Sequence, residues 1–347
     1  MLFPPFFPRS RRRSVAVLVA AGATLALCAT LGRAQTPPGG EAPGAPPAPG
    51  AAKAPTHVSD FDGRDGKWAW LTTTGNGQAD AWWGDGGGTS GRIGSGQGWK
   101  EIARDDWTFW VLASGAKNGA LVKVGKQATP QPVEVERGLA QPGGLWVEGG
   151  KVYWIETRNA VPGGWSFVPS TGPTSRLRVR EGENPPRDLA EWPGAPAGPG
   201  DILGIAGDSI YVRVRRTLAT EFLKVPLAGG TPALLGTEGG EQQGVLQNGK
   251  LWWTAQSEEA MPTSDERCVR GENGATVTDW LPGRGHLMVL NGELRYAFNV
   301  MYRIPTGSGK PQAPEYLGKV PGGNMADDGR NAVWLSGVGQ PTIAVPK

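Results

Sequence analysis

Short apolar runs, each ended by Gly, Asp or Asn, follow one another along the chain from His57 onward. No window sustains a 3.6-residue apolar period, and turn residues interrupt about every 8–12 positions, which predicts strands joined by tight turns. The clearest unit is Glu241–Ala255, reading EQQGVLQNGKLWWTA: one apolar run meets Asn248-Gly249 and a second leaves it. Asn-Gly suits a type I′ hairpin, because both central residues of that turn need positive φ. The pattern predicts four strands here, over Gly244–Gln247, Lys250–Ala255, Glu266–Arg270 and Ala275–Leu281.

The unit recurs. Comparable turns fall at Gly66, Asp106, Gly150, Asp208, Gly249, Gly292 and Gly329, at intervals of 40, 44, 58, 41, 43 and 37 residues. Four strands repeated about every 40 residues predict an all-β fold, a β-propeller over 57–347. Seven blades are expected, or six if the first unit, with its Gly-rich Gly84–Gly98 stretch, is irregular. The long interval is assigned to insertions at Val161–Pro173 and Trp192–Gly200. The strand near His57–Phe61 is expected to close the ring against the last unit, which ends after Thr342–Val345. Aromatics mark the second strand of each unit: Trp68 and Trp70, Trp107 and Trp110, Tyr153 and Trp154, Tyr211, Trp252 and Trp253, Tyr296, Trp334. Large rings at these places are expected to fill the wedge between blades.

Two segments carry a resemblance. Tyr153-Trp154-Ile155-Glu156 and Trp252-Trp253-Thr254-Ala255 look like the YWTD signature, and Lys224–Pro232 (KVPLAGGTP) is similar to the third-to-fourth strand stretch of TolB-like and YWTD-like propellers. The resemblance covers Phe61–Lys347 as a pattern of hairpins and implies a propeller fold; those families have six blades, whereas seven second strands are countable here.

Composition changes the picture mainly at the N-terminus. Arg9, Arg11, Arg12 and Arg13 precede the apolar run Val15–Leu31, and Gly32-Arg33-Ala34 is a small-x-small cleavage pattern, so 1–34 reads as an export signal. Residues 35–56 are Pro, Gly and Ala with almost nothing aliphatic, a tether unable to bury a core. The expected location is periplasmic or extracellular, with no membrane span once the signal is cleaved; a lipid at Cys28 and a twin-arginine route stay open. The chain carries 35 Lys+Arg against 32 Asp+Glu, but five of those arginines and no acid lie in 1–34. What remains is nearly neutral and offers no electrostatic drive toward nucleic acid. Cys268 is then the only thiol, which excludes an internal disulfide.

Catalytic material is sparse. His57 and His286 are the only histidines, which excludes a multi-histidine metal site. Gly207-Asp208-Ser209 falls on a hairpin turn. Asp60, Asp62 and Asp65 bracket a Gly-rich turn and could hold a hard cation such as Ca²⁺, although Arg64 occupies a position where an EF-hand loop has oxygen, so an Asp-Gly turn is the plainer reading. Arg176, Arg178 and Arg180 alternate along one strand and Arg213 and Arg215 along another, as basic faces for an acidic ligand or as solvated edges neutralised by Glu181, Glu183 and Asp188. In a propeller, loops leading into the innermost strands surround the channel mouth. Those loops carry Gln141, Asp201, Glu241, Gln243, Arg284, His286 and Asn324, the candidate ligand-binding residues.

The leading expectation is therefore an exported, non-enzymatic, monomeric scaffold that binds a protein, peptide or envelope component. A Ca²⁺-dependent lactonase- or lyase-type propeller enzyme using channel carboxylates is the second, and carbohydrate binding through exposed Trp82, Trp83 or Trp192 the third. No other cofactor is implied.

Overall fold

The computed structural model describes residues 57–344, apart from 74–75, 86–87, 115–118, 126–130, 159–172, 195–198, 258–264, 308–309, 322–323 and 336–340. The expected signal, Cys28, the Pro-rich tether and most of the Val161–Pro173 insertion lie outside the described residues.

Every regular element among the described residues is a strand, and neighbours in sequence pair antiparallel. The first sheet comprises β1 (His57–Arg64), β2 (Lys67–Thr73), β3 (Gln78–Asp85) and β4 (Ser90–Gln97), and the second β5 (Trp99–Asp105), β6 (Thr108–Ala113), β7 (Gly119–Gly125) and β8 (Val133–Leu139). The third holds β9 (Pro142–Glu148), β10 (Lys151–Arg158), β11 (Thr174–Glu181) and β12 (Arg187–Pro193). The fourth is β13 (Asp201–Ala206), β14 (Ser209–Arg215), β15 (Ala219–Pro226) and β16 (Ala233–Gly239). In the fifth are β17 (Gly244–Gln247), β18 (Lys250–Gln256), β19 (Arg267–Gly271) and β20 (Thr276–Leu281). The sixth has β21 (His286–Leu290), β22 (Glu293–Ala297), β23 (Val300–Arg303) and β24 (Glu315–Lys319); the last has three strands, β25 (Met325–Asp327), β26 (Ala332–Trp334) and β27 (Thr342–Ala344).

The first strands of successive sheets touch in cyclic order, from β1 through β5, β9, β13, β17 and β21 to β25 and back to β1. The fold is a β-propeller. Each second strand is flanked by neighbouring sheets, which is why β2, β6, β10, β14 and β18 are near-continuous apolar runs rather than alternating ones. Seven apolar clusters result, one at each junction between consecutive sheets. Of the second-strand rings, Trp70, Trp154, Trp253, Tyr211 and Tyr296 are fully buried, as expected of wedge fillers. Trp107 departs from that pattern: it sits on the turn before β6 and packs edge-on against Trp83, ring centroids 5.2 Å apart.

Two expectations become more specific and a third needs correction. The N-terminal strand does meet the last sheet, but without pairing into it; β1 is the innermost strand of the first. Closure is by packing instead: Trp68, Trp70, Val58 and Phe61 share a cluster with Val333 and Leu335, and the Trp68 indole N–H donates to Asp328 Oδ2 at 2.6 Å. The Gly-rich stretch is regular in its described part, so the irregularity on which the alternative of six units depended is not found there. The stretch forms β4, where Gly91 and Gly96 leave room for the Trp83 and Trp99 rings to lie on the strand; a Cβ at either position would strike the ring. Finally, Trp192 is not in an inserted loop but in β12, buried in the cluster between the third and fourth sheets.

Candidate functional site

The first strand of each sheet runs away from the channel mouth and the second returns to it. The mouth is therefore built from loops entering first strands, the ends of second strands and the starts of third strands. Four of the expected residues meet there in one cavity of about 280 Å³: Glu241 and Gln243 before β17, Arg284 and His286 before and at the start of β21. Arg213 from β14, Thr254 from β18, Arg267 from β19 and Tyr296 from β22 complete the wall. Gln141, Asp201 and Asn324 are not in this lining.

Ladder and loop hydrogen bonds fix most of the wall. Gln243 Oε1 accepts the Leu287 amide at 2.8 Å, bridging two sheets, while its NH₂ has no acceptor among the described residues. The Tyr296 hydroxyl donates to Gly283 O at 2.7 Å and accepts from the Gly285 amide at 2.5 Å, which fixes the loop carrying Arg284. Burial pushes that phenol up to about 12, so it keeps its proton. Thr254 donates to Gln242 Oε1 and accepts from the Gln243 amide, both at 2.9 Å. Burial lowers His286 from its ordinary value, so its imidazole is neutral at neutral pH.

The carboxylates at the mouth are engaged. Asp201 Oδ2 receives Arg213 Nε at 2.9 Å and Nη2 at 2.7 Å, and Glu241 Oε1 receives Arg215 at 3.1 Å. Arg284 faces Asp265 at 3.3 Å in an exposed pair. Arg267 stands apart. It is 7% exposed, lines the cavity and makes no hydrogen bond or ion pair among the described residues. Repeat spacing does not reach Arg267, because it begins a third strand rather than a mouth loop; a lone arginine leading the apolar Cys268-Val269 was the available signal. Arg213 was visible as one of an alternating pair, but only its register opposite Asp201 places it at the mouth.

Beneath the mouth lies the channel, a cavity of about 780 Å³ walled by first strands of six sheets and reached by Arg213. Its wall is mixed: Ile202, Ile205, Leu246 and Val289 lie alongside Asp62, Arg64 and Asp327. Arg64 lies over the Trp146 ring, 4.1 Å from its centroid, and donates to Val147 O at 2.7 Å.

Asp60, Asp62 and Asp65 do not converge. Asp60 and Asp62 accept the Ile102 and Arg104 amides of the next sheet at 2.6 and 2.8 Å, while Asp65 sits on the turn with φ 53°. Among the described residues no three His, Cys, Asp or Glu side chains group as a metal site. The basic row on β11 is neutralised: Arg176 and Arg178 pair with Glu156 and Asp188, and Arg180 with Glu136. Trp82 stacks on Trp70 and Trp83 packs against Trp107, both half-buried, while Trp192 is buried and unavailable as a sugar platform. Among the described residues no helix is long and apolar enough to cross a membrane.

Neither a protein-family model nor a curated protein sequence matches the chain. Solved structures are similar in fold. Oligogalacturonate lyase from Vibrio parahaemolyticus superposes with a TM-score of 0.54 at 13% identity, over 84% of this chain and 90% of that one. The β-propeller domain of the trilobed protease from Pyrococcus furiosus, described as having an open velcro topology, gives 0.52 at 10% identity, over 84% and 96%. Acylaminoacyl peptidase from Pyrococcus horikoshii gives 0.53 at 11% identity over 80% of this chain, which spans only 49% of that enzyme. At these identities the likeness is one of fold.

Proposed function

We propose that this chain is an exported, non-enzymatic recognition module that holds a segment of a protein, peptide or envelope component at its channel mouth. The observation carrying this reading is the convergence of Glu241, Gln243, Arg284 and His286 with Arg213 and Arg267 in one concave pocket set on strand ends. Strand ends tied by ladders and cross-sheet hydrogen bonds are pre-organised, so binding there costs little ordering. The hydroxyls of Thr254 and Tyr296 have committed their protons to Gln242 and Gly283, which leaves neither activated as a nucleophile. Asp201 and Glu241 are held by arginines, which favours this reading over a Ca²⁺-dependent enzyme, where both would have to turn to the metal.

A photo-crosslinking residue at Glu241, on the rim, tests the proposal against one at Lys319, on the outer strand β24. A discrete adduct from an envelope extract is expected at the rim alone. Identical adducts at both positions would overturn the reading, as would Ca²⁺-dependent turnover of lactones that is lost in Asp201→Ala.

A further inference from the structure

Two arginines among the described residues are less than one-tenth exposed, Arg104 and Arg267. Arg104 shows what burial ordinarily requires: its guanidinium donates to the carbonyls of Arg64, Asp106 and Lys67 at 2.5, 3.1 and 3.2 Å. Arg267 has no such partner among the described residues: little of the residue is exposed, and its guanidinium meets the mouth cavity instead of a protein acceptor. A cation in a concave cavity with no acceptor from its own chain is free to take one from a ligand.

The charges around it narrow what that is. Arg213 is spent on Asp201 and on Gln242 O, and Glu241 is drawn to Arg215 at the rim. His286 carries no charge at neutral pH, because burial lowers it. Arg284 shares an exposed pair with Asp265. Among the described residues one cation without a counter-ion remains inside, enough for a monoanion and too little for a phosphate dianion. The planar guanidinium fork matches a carboxylate in two parallel hydrogen bonds, and the Gln243 NH₂ adds a third donor to the same wall. At about 280 Å³ the cavity accepts one side chain or chain end rather than a large ligand.

We infer that the mouth cavity is a carboxylate seat, in which Arg267 receives the acidic side chain or terminus of a bound peptide. This rests on the recognition reading above and names the chemistry it uses. The test is an NMR titration of the full chain with a blocked pentapeptide holding one central glutamate, its glutamine counterpart, and succinate. The glutamate peptide is expected to bind at least about tenfold more tightly than the glutamine one. Arg267→Gln is expected to remove that preference while melting no lower than the parent chain, since no hydrogen bond or ion pair of Arg267 to a described residue is lost.

Equal binding of the two peptides, no saturable binding of any probe, or an unchanged preference in Arg267→Gln overturns the seat. A rim adduct at position 241 that forms equally in Arg267→Gln also overturns it, and leaves the recognition module standing. Arg267-dependent binding of succinate with neither peptide bound keeps the carboxylate chemistry and removes the peptide reading instead.

Discussion

Glu156 is 1% exposed and accepts hydrogen bonds from Trp154 Nε1 at 3.0 Å and from Arg176 and Arg178, each at 2.9 Å. Both arginines continue to Asp188, at 3.0 and 2.9 Å, so two carboxylates compensate two guanidiniums on one face of the third sheet. Burial pushes the Glu156 carboxyl up, but the hydrogen bonds from Arg176, Arg178 and Trp154 outweigh it and hold the group below its ordinary 4.5. A depressed folded pKa contributes stability that is present above the unfolded value and lost as pH falls through the folded one. Removing one partner of a buried ionic cluster costs about 3–5 kcal/mol, because the remaining charges stay buried and uncompensated. Glu156→Gln should therefore cost about that much at pH 7 in urea unfolding, with the difference narrowing as pH falls below the ordinary 4.5. A loss under roughly 0.5 kcal/mol would show that Asp188 alone carries the pair. Alternation along β11 made the arginine row legible, but alternation cannot say which strand faces it. Glu156, at the end of a YWTD-like run, was the unseen half.

At the scale of elements, propeller sheets fan outward, so adjacent first strands approach without forming a ladder. Alternate amides of each first strand point off a free edge and need acceptors. Side chains on the preceding first strand, or just before it, supply them: Asp60 and Asp62 for Ile102 and Arg104, Glu101 for Leu145, Gln243 for Leu287. Period two on β1 matches period two on β5, which explains an Asp-x-Asp pair without a cation. Burial, with the charge of Glu101 adding to it, pushes Asp60 well above its ordinary range, a further mark of a carboxyl turned inward. Asp62→Ala should orphan the Arg104 amide and destabilise by about 1–3 kcal/mol. Millimolar Ca²⁺ should leave the melting midpoint of the parent chain unchanged; a clear rise would show that these carboxylates turn to a metal. Turns were the most legible elements, because Asp65-Gly66, Asn248-Gly249 and Asn291-Gly292 announce their positive φ in residue type. What an edge carboxylate touches depends on the neighbouring sheet, about 40 residues away, and local sequence does not encode it.

For the whole molecule the decisive junction is between the last sheet and the first, which share no strand. Two adjacent carboxyls hold it in opposite ways. Burial raises Asp328, but hydrogen bonds from Trp68 and from the side chain and amide of Asn331, with the Arg330 amide, outweigh it and hold the carboxyl below 3.8. Burial pushes Asp327, on the channel wall, up to about 6, with the charge of Asp328 adding and the Gly329 amide opposing. The signs follow from linkage. Asp328 stabilises above pH 3.8, and that contribution is lost as pH falls through its lower folded value. The contribution of Asp327 is full below pH 3.8 and lost as pH rises through about 6. Asp328→Asn replaces an acceptor of several donors, so it should cost about 1.5–3 kcal/mol at pH 7 and lower the melting midpoint by about 3–10 °C. Asp327→Asn removes a charge forced on a poorly solvated site, so it should raise the midpoint by a few degrees at pH 7.5 and leave it unchanged near pH 4. Melting curves from pH 3.5 to 8 on the parent chain and both variants measure this directly. Opposite shifts at pH 7.5 are expected from two neighbouring, chemically identical substitutions. If Asp328→Asn melts within a degree of the parent, the Trp68–Asp328 contact does not close the ring, and the apolar cluster around Val333 does so unaided.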